Sequence, residues 1–512
     1  MSEHFDVIIV GAGLSGISAA YHLQTHCPDK TFAILEARDA IGGTWDLFRY
    51  PGVRSDSDMF TLGFSWRPWL GKKAIADGAS IRDYIRDAAR ENGIDRKIRM
   101  SHRVTRAAWS SARSRWALDV QRGSRAGEAE QESTRLTCSF LYVCSGYFDY
   151  ANGYRPQFEN ERAFKGRVVH PQHWPSDLDW TGKRVVVIGS GATAMTLVPA
   201  LTEKAAHVVL LQRSPTYVVS APAHDAVADK LRSSLPPRAA YGLTRWKNVL
   251  RGNMFFQLAR RKPAFMRDVL LKQVRAALGS EFDIAKHFTP SYDVWDQRVC
   301  LVPDADLFDA VKAGHASVVT DHIERFTETG LQLRSGETLD ADIIITATGL
   351  ELQFFGGATL SVDGHDVEPS ETMGYKGCML SDVPNLAYAF GYANASWTLK
   401  ADLSARYVCR LLRSMDAQHA VRATPRRSPH VEERPWLDFS STYVQRGLSR
   451  FPKQGSLRPF RMYQNYFLDL LALRYGRVVD GVLEFSQQPP NPRDLAAKAQ
   501  RRQTPERIGP AD

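Results

Sequence analysis

The sequence predicts an α/β protein built from two Rossmann-like dinucleotide-binding domains, with a helical insertion in the second. Three observations carry this. A glycine loop, Gly11-Ala-Gly13-Leu-Ser-Gly16, directly follows the strand-like run Phe5-Asp-Val-Ile-Ile-Val10. A second loop, Gly189-Ser-Gly191-Ala-Thr193-Ala194, directly follows Arg184-Val-Val-Val-Ile188. After Ser220 the pattern turns from strands to helical periodicity as far as about residue 286. One glycine loop is a weak signal, but two in strand-to-helix settings imply two bound dinucleotides. The natural task for such a pair is passing a hydride from a nicotinamide to a flavin.

The bulk properties narrow the class. The 512 residues suffice for two or three domains with substantial cores. A hydrophobic content of 44% and a charged content of 24% are ordinary for a soluble globular protein, and no stretch is apolar enough to span a bilayer. The start, Met1-Ser-Glu-His4, has neither a basic region nor an apolar h-region, so a cytoplasmic location is expected. Cys27, Cys138, Cys144, Cys300, Cys378 and Cys409 are scattered, with no CxxC pair. They are expected to be free, mostly packed thiols, and a disulfide reductase is excluded for want of a redox pair. No metal site is expected. The net charge of +10 is concentrated between His224 and Lys286, where 13 basic residues stand against 5 acidic ones. Nucleic acid is not an expected partner, because no recognition motif accompanies the charge. A solvated helical face explains most of it. The run from Trp246 to Phe256 mixes bulky apolar and basic residues and suggests a weak membrane-surface contact.

In the first loop Gly11 makes the turn, Gly13 lets backbone approach the pyrophosphate, and Gly16 lets helix pack on strand. The helix start then presents its positive end to phosphate. The next strand, Thr31-Phe-Ala-Ile-Leu35, ends in Glu36, where an acid takes ribose hydroxyls and repels a 2′-phosphate. This site therefore suits FAD or NAD. Next come Gly42-Gly43-Thr44-Trp45 and Tyr50-Pro-Gly52, leading to Asp56. Plain dehydrogenases do not need this segment. It resembles the N-terminal fingerprint of the type I Baeyer–Villiger flavin monooxygenases at Gly42, Gly43, Trp45, Tyr50, Pro51, Gly52 and Asp56. The resemblance implies that Asp56 lies beside the flavin.

The chain between the loops extends the resemblance. Phe164, Gly166, His170 and Trp174 match the family's second fingerprint. Tryptophan at 174 favours the Baeyer–Villiger group over the sister groups that oxidise amines and sulfides. His170 is expected to couple domain positions and not to transfer protons. In the second loop Gly191, Thr193 and Ala194 open the helix, and Ala194 replaces the last glycine. The following strand, Val208–Gln212, ends not in an acid but in Arg213-Ser214, which favours the 2′-phosphate of NADPH. The family often has a lysine for this phosphate beside its catalytic arginine. Gln297 stands there instead, which weakens selectivity.

Pro236-Pro237 interrupts the helical insertion once. The segment His287–Asp304 then resembles the ethionamide-activating branch of the family and places its catalytic arginine at Arg298. The resemblance implies an NADPH-reduced FAD that takes O₂ to a C4a-peroxyflavin, which attacks a ketone to give an ester or lactone. Arg298 would stabilise the developing negative charge, held by Asp56. Sulfoxidation of thioethers is implied alongside. The aromatic stretch Phe60–Trp69 and Trp397 point to a small hydrophobic ketone or thioether as substrate.

Phe140–Tyr147 and Asp342–Gly349 each read as strand then glycine and are expected to carry the chain out of the flavin domain and back. The expected division is 1–148 (FAD, first part), 149–222 (linker and NADP, first part), 223–288 (helical insertion), 289–335 (NADP, second part) and 336–490 (FAD, second part). Residues 401–476 read as helices around a Pro/Arg-rich connection at 422–429. A disordered tail is expected at 491–512. Two other readings stay open: a monooxygenase acting chiefly on sulfur or nitrogen, and a non-catalytic nucleotide-binding protein.

Overall fold

A computed structural model describes residues 3–123 and 132–487, so the expected tail at 491–512 lies outside the described residues. The strand His4–Val10 lies inside the first sheet, parallel to Phe32–Leu35 on one side and to Glu132–Val143 on the other. Val7, Ile8 and Ile9 are fully buried, as a strand covered on both faces requires. Beyond Glu132–Val143 the sheet continues antiparallel through Arg115–Arg122 and His102–Ser110. Trp109 faces Trp116 across that ladder, with ring centroids 5.6 Å apart. Leu386–Tyr388 returns to the same sheet, parallel to the end of Glu132–Val143, and leads to the long helix Trp397–Ala417.

The second sheet is wholly parallel, in the order Ala316–Thr320, His207–Gln212, Arg184–Ile188, Ile343–Thr346, Arg167–Val169. The division expected at 336 is therefore corrected. Ile343–Thr346 is buried along its whole length between two strands of this sheet, so the second unit runs on to that strand. An unbroken β-branched run with apolar neighbours on both sides belongs in the middle of a parallel sheet. The chain then crosses back. Leu350–Leu352 pairs antiparallel with Phe148–Gly153, so the outgoing and returning segments form one two-stranded ribbon between the units.

The insertion folds as helices Ala226–Ser234, Pro237–Arg261, Pro263–Leu278 and Ile284–His287. Pro237 and Pro263 each occupy a first helical position, where the missing N–H costs nothing. The second of these breaks was not anticipated. The Pro/Arg-rich connection is also corrected: Arg422–Pro425 is a strand, paired antiparallel with Leu483–Ser486. Proline is tolerated there because Pro425 is the last residue of the strand, its carbonyl accepting from the Asp382 N–H at 2.7 Å. All six cysteines are buried and free. Among the described residues no helix is long and apolar enough to cross a membrane.

The first fingerprint also ties the two units together. Tyr50 is buried in the second unit's core against its loop helix, Ala192–Leu201, with its hydroxyl beside Thr193 and Thr196. Gly52 has φ +77°, and a Cβ there would lie 2.4 Å from the Thr196 carbonyl oxygen. Arg54 pairs with both carboxylate oxygens of Asp306, at 2.6 and 3.3 Å. Gly52→Ala is expected to push the units apart, lowering the melting temperature and slowing flavin reduction by the nicotinamide. A stopped-flow reduction rate equal to the wild type would show that this contact does not set the domain arrangement.

Candidate active site

Both glycine loops open into one cleft of about 1110 Å³. At the first loop Gly11 has φ +104°, and a Cβ on Gly16 would sit 1.9 Å from the Gly11 carbonyl oxygen. Only glycine lets turn and helix meet there. Gly13 precedes Leu14–His26, and Gly191 precedes Ala192–Leu201; neither helix start is capped by a side chain. Their first N–H groups stay available to phosphate. A Cβ on Gly191 would meet nothing within 4 Å, so that helix start is open. Two uncapped helix starts on one cleft of this size fit two dinucleotides.

Glu36 directly follows Phe32–Leu35 and is buried. It accepts from the Ala12 N–H at 2.7 Å and the Arg38 N–H at 2.9 Å. Burial pushes its carboxyl above the usual carboxylate range despite these bonds. A carboxylate has about four acceptor positions, so capacity remains for ribose hydroxyls. Gly43 has φ +57° and starts the short helix Thr44–Leu47. Thr44 bonds to the Tyr150 hydroxyl at 3.1 Å, and Trp45 packs on the first unit's core. Asp46, whose role the sequence did not disclose, is fully buried and holds Arg38 at 2.7 Å, Arg86 at 2.8 Å and Arg49 at 3.3 Å. Arg38 lines the cleft, so this cluster shapes its wall.

Arg298 and Asp56 meet in the cleft, Nη2 to Oδ2 at 2.6 Å. The Asp56 carboxylate keeps the Arg298 guanidinium charged well beyond the usual arginine range. The Arg298 side chain keeps 35% of its surface open. Tyr443 lines the cleft beside Arg298 and Tyr147, and burial pushes its phenol up. Tyr147 stacks on Trp397 with centroids 5.2 Å apart, and the Trp397 indole N–H donates to Ser15 at 2.8 Å. Tyr443 comes from the helix Thr442–Gly447, and Ser440 just before it donates twice to the Asp296 carbonyl. The Arg298 loop and this distant helix are thus fastened to one another. No local motif around Tyr443 or Tyr147 signals this. The expectation for Phe60–Trp69 is corrected: Phe60 and Phe64 are buried in core clusters and Trp66 stacks on Phe64 and Tyr21. Only Leu62 of that stretch lines the cleft.

In the second unit Arg213 and Ser214 follow His207–Gln212, exposed at the cleft with no side-chain partner among the described residues. Gln297 lines the same cleft. Ala194 is fully buried, so its small size serves packing, while Thr193 faces the cleft and Tyr50.

The second fingerprint lies away from the cleft. Phe164 is buried against Phe326, and a Cβ on Gly166 would lie 2.3 Å from the Asp342 carbonyl oxygen. Trp174 packs edge-on to Trp180. His170 accepts from the Gln172 N–H through Nδ1 and donates through Nε2 to the Gly349 carbonyl at 3.3 Å. Burial holds its imidazole below the usual range. It is wedged against Gly153, on the ribbon that joins the units.

The chain is similar to known proteins. Residues 75–415 match the family described as flavin-binding monooxygenase-like. Residues 9–70 match an NAD(P)-binding Rossmann-like domain. The FAD-containing monooxygenase EthA of Mycobacterium tuberculosis (strain ATCC 25618 / H37Rv) is 53% identical over 491 residues, 96% of this chain and 99% of that one. The probable FAD-binding monooxygenase AlmA of Acinetobacter baylyi is 47% identical, over 95% of this chain and 97% of that one. Among solved structures, an oxidised steroid monooxygenase bound to NADP superposes with a TM-score of 0.74 at 21% identity, covering 94% of this chain and 99% of the other. The cyclohexanone monooxygenase of Rhodococcus sp. Phi1 bound to NADP⁺ gives 0.66 at 16% identity, covering 84% and 87%. With more than half of its length matched by the family and near-complete relatives at about this identity, the chain belongs to the flavin-binding monooxygenase-like family.

Proposed function

We propose that this flavin monooxygenase uses FAD and NADPH for Baeyer–Villiger oxidation, converting a small hydrophobic ketone to an ester or lactone, and that it also oxidises thioethers. The observation that carries this reading is the Arg298–Asp56 pair, 2.6 Å apart, in the cleft onto which both loops open. When bound, reduced FAD supplies the activated oxygen. The first loop and Glu36 hold the flavin nucleotide; the second loop and Arg213 hold NADPH. A fixed guanidinium at Arg298 stabilises the negative charge that develops on the substrate oxygen during addition. Asp56 keeps that guanidinium aimed, with the Tyr443 phenol nearby in the same cleft. Tyr147 and Trp397 present aromatic surface to an apolar substrate and exclude water. His170 positions the ribbon between the units and takes no part in proton transfer.

Supplying NADPH, O₂ and either a simple cyclic ketone or an aryl methyl thioether tests the reading by product analysis. Ester or lactone from the ketone supports it; sulfoxide alone, with no ester from a series of ketones, overturns it. Arg213 offers a second test. Arg213→Ala removes charge-assisted bonds worth about 1.5–3 kcal/mol, so KM for NADPH is expected to rise at least about tenfold while KM for NADH stays nearly constant. Equal rises for both nucleotides would place the 2′-phosphate elsewhere.

A further inference from the structure

We propose that the outer face of the helix Pro237–Arg261 docks on an anionic lipid surface. A surface helix ordinarily buries one apolar stripe and turns a polar face to water. This one carries its row of large apolar side chains on the outer face, and its inner face is mixed. Its inner face buries Tyr241, Thr244, Arg245, Asn248 and Val249. Its outer face carries Leu243, Trp246, Leu250 and Met254, spaced by three, four and four residues, so they form one stripe. These side chains are 53%, 45%, 54% and 67% exposed. Nothing in the fold of the chain requires four large apolar groups in line on an outer face. Trp246 also touches Phe467, from which exposed Leu471 and Tyr475 continue the apolar surface at four-residue spacing.

Charge identifies the occupant. Between residues 230 and 267 there are ten Lys or Arg and no Asp or Glu. Arg232, Arg245, Lys247, Arg260 and Arg267 have acidic partners, but exposed Arg251 beside the stripe, and Arg261 and Lys262 at its end, have none among the described residues. Arg474 lies over the Tyr475 ring on the adjoining surface. Exposed Leu, Met and Trp side chains bordered by unpaired cations match an acyl–headgroup boundary carrying negative charge, where each part supplies what the other needs. A second copy of the chain would bring the same positive charge to the contact.

The inner face gives the docking helix a rigid mount. Arg245 donates to the carbonyl oxygens of Phe60 at 2.7 Å, Thr61 at 3.2 Å and Gly63 at 2.8 Å, on the segment just after Asp56. The stripe is thus held by the first unit and cannot fold inward to hide.

Flotation of the full-length protein with phosphatidylcholine vesicles, with and without phosphatidylglycerol, tests this without reference to catalysis. It stands or falls apart from the ketone chemistry proposed above. The protein is expected to float with the anionic vesicles and to be released by high salt. Leu250→Ser with Met254→Ser should weaken partitioning at least about tenfold, and Arg251→Glu should remove the preference for anionic lipid. Leu457→Ser, an exposed apolar residue elsewhere, should change nothing. All these positions are exposed, and unchanged melting curves confirm that the variants fold. Failure to float, flotation insensitive to Leu250 and Met254, or a dimer in sedimentation that the double variant abolishes would each overturn the proposal.

Discussion

Arg298→Ala is expected to leave anaerobic reduction of the flavin by NADPH intact while lowering ester formation by about 10²–10³-fold, the scale seen on removing one preorganised charge-stabilising donor. On the proposed reading the two steps separate because they use different parts of the cleft: hydride delivery would depend on the loops and on Arg213, whereas oxygen insertion would need a positive group where charge develops. Asp56 at 2.6 Å keeps that group ionised at every working pH, so a proton on Arg298 cannot be the source of any pH dependence. Arg298→Lys should recover part of the lost rate, since an ammonium is charged but lacks the planar fork that binds Asp56. Stopped-flow reduction together with product quantification checks both variants. Parallel loss of reduction and ester would mean that Arg298 holds the nicotinamide and not the reacting oxygen; normal ester yield would remove it from the chemistry.

Asp46→Asn carries the largest expected stability loss. Its carboxylate has no exposed surface and gathers Arg38, Arg49 and Arg86. Neutralising it leaves three guanidinium groups around one uncharged amide, and breaking a buried pair typically costs about 3–5 kcal/mol. Arg49 and Arg86 are partly exposed, which brings the expected value to the lower end. Because Arg38 lines the cleft and the Arg38 N–H donates to Glu36, FAD should also be held less tightly. Thermal melting and flavin content of the purified variant read out the two effects. A variant with full flavin and an unchanged melting temperature would reduce Asp46 to a passive core residue.

What was legible in the sequence was local and contiguous. The glycine loops announce themselves because turn, close approach and helix start fall within six residues, and Glu36 follows at a spacing that strand geometry sets. Arg298 and Asp56 were legible only because each sits in a recognisable segment; their contact spans 242 positions that no periodicity predicts. Tyr443 had no such segment. It reaches Arg298 because Ser440 latches onto the Asp296 carbonyl, a tertiary event with no local signal. Phe60–Trp69 misled for a related reason: aromatic content says that a segment is apolar, not whether it faces a ligand or a core. Arg422–Pro425 misled through proline, which usually marks a connection but is also tolerated at the end of a strand in a two-stranded ribbon.

The grip of Tyr50, Gly52 and Arg54 on the second unit bears on how this enzyme could be re-engineered. Those residues are encoded in the first unit but complement the surface made by Thr193, Thr196, Ala200 and Asp306. A chimera that grafts a relative's nicotinamide module onto this flavin module would join two halves of different locks. Transplanted modules should work only when residues 50–54 travel with the incoming module, or when the incoming helix keeps the small side chain of Ala200. In inheritance terms the first fingerprint belongs to the seam and not to the domain that encodes it.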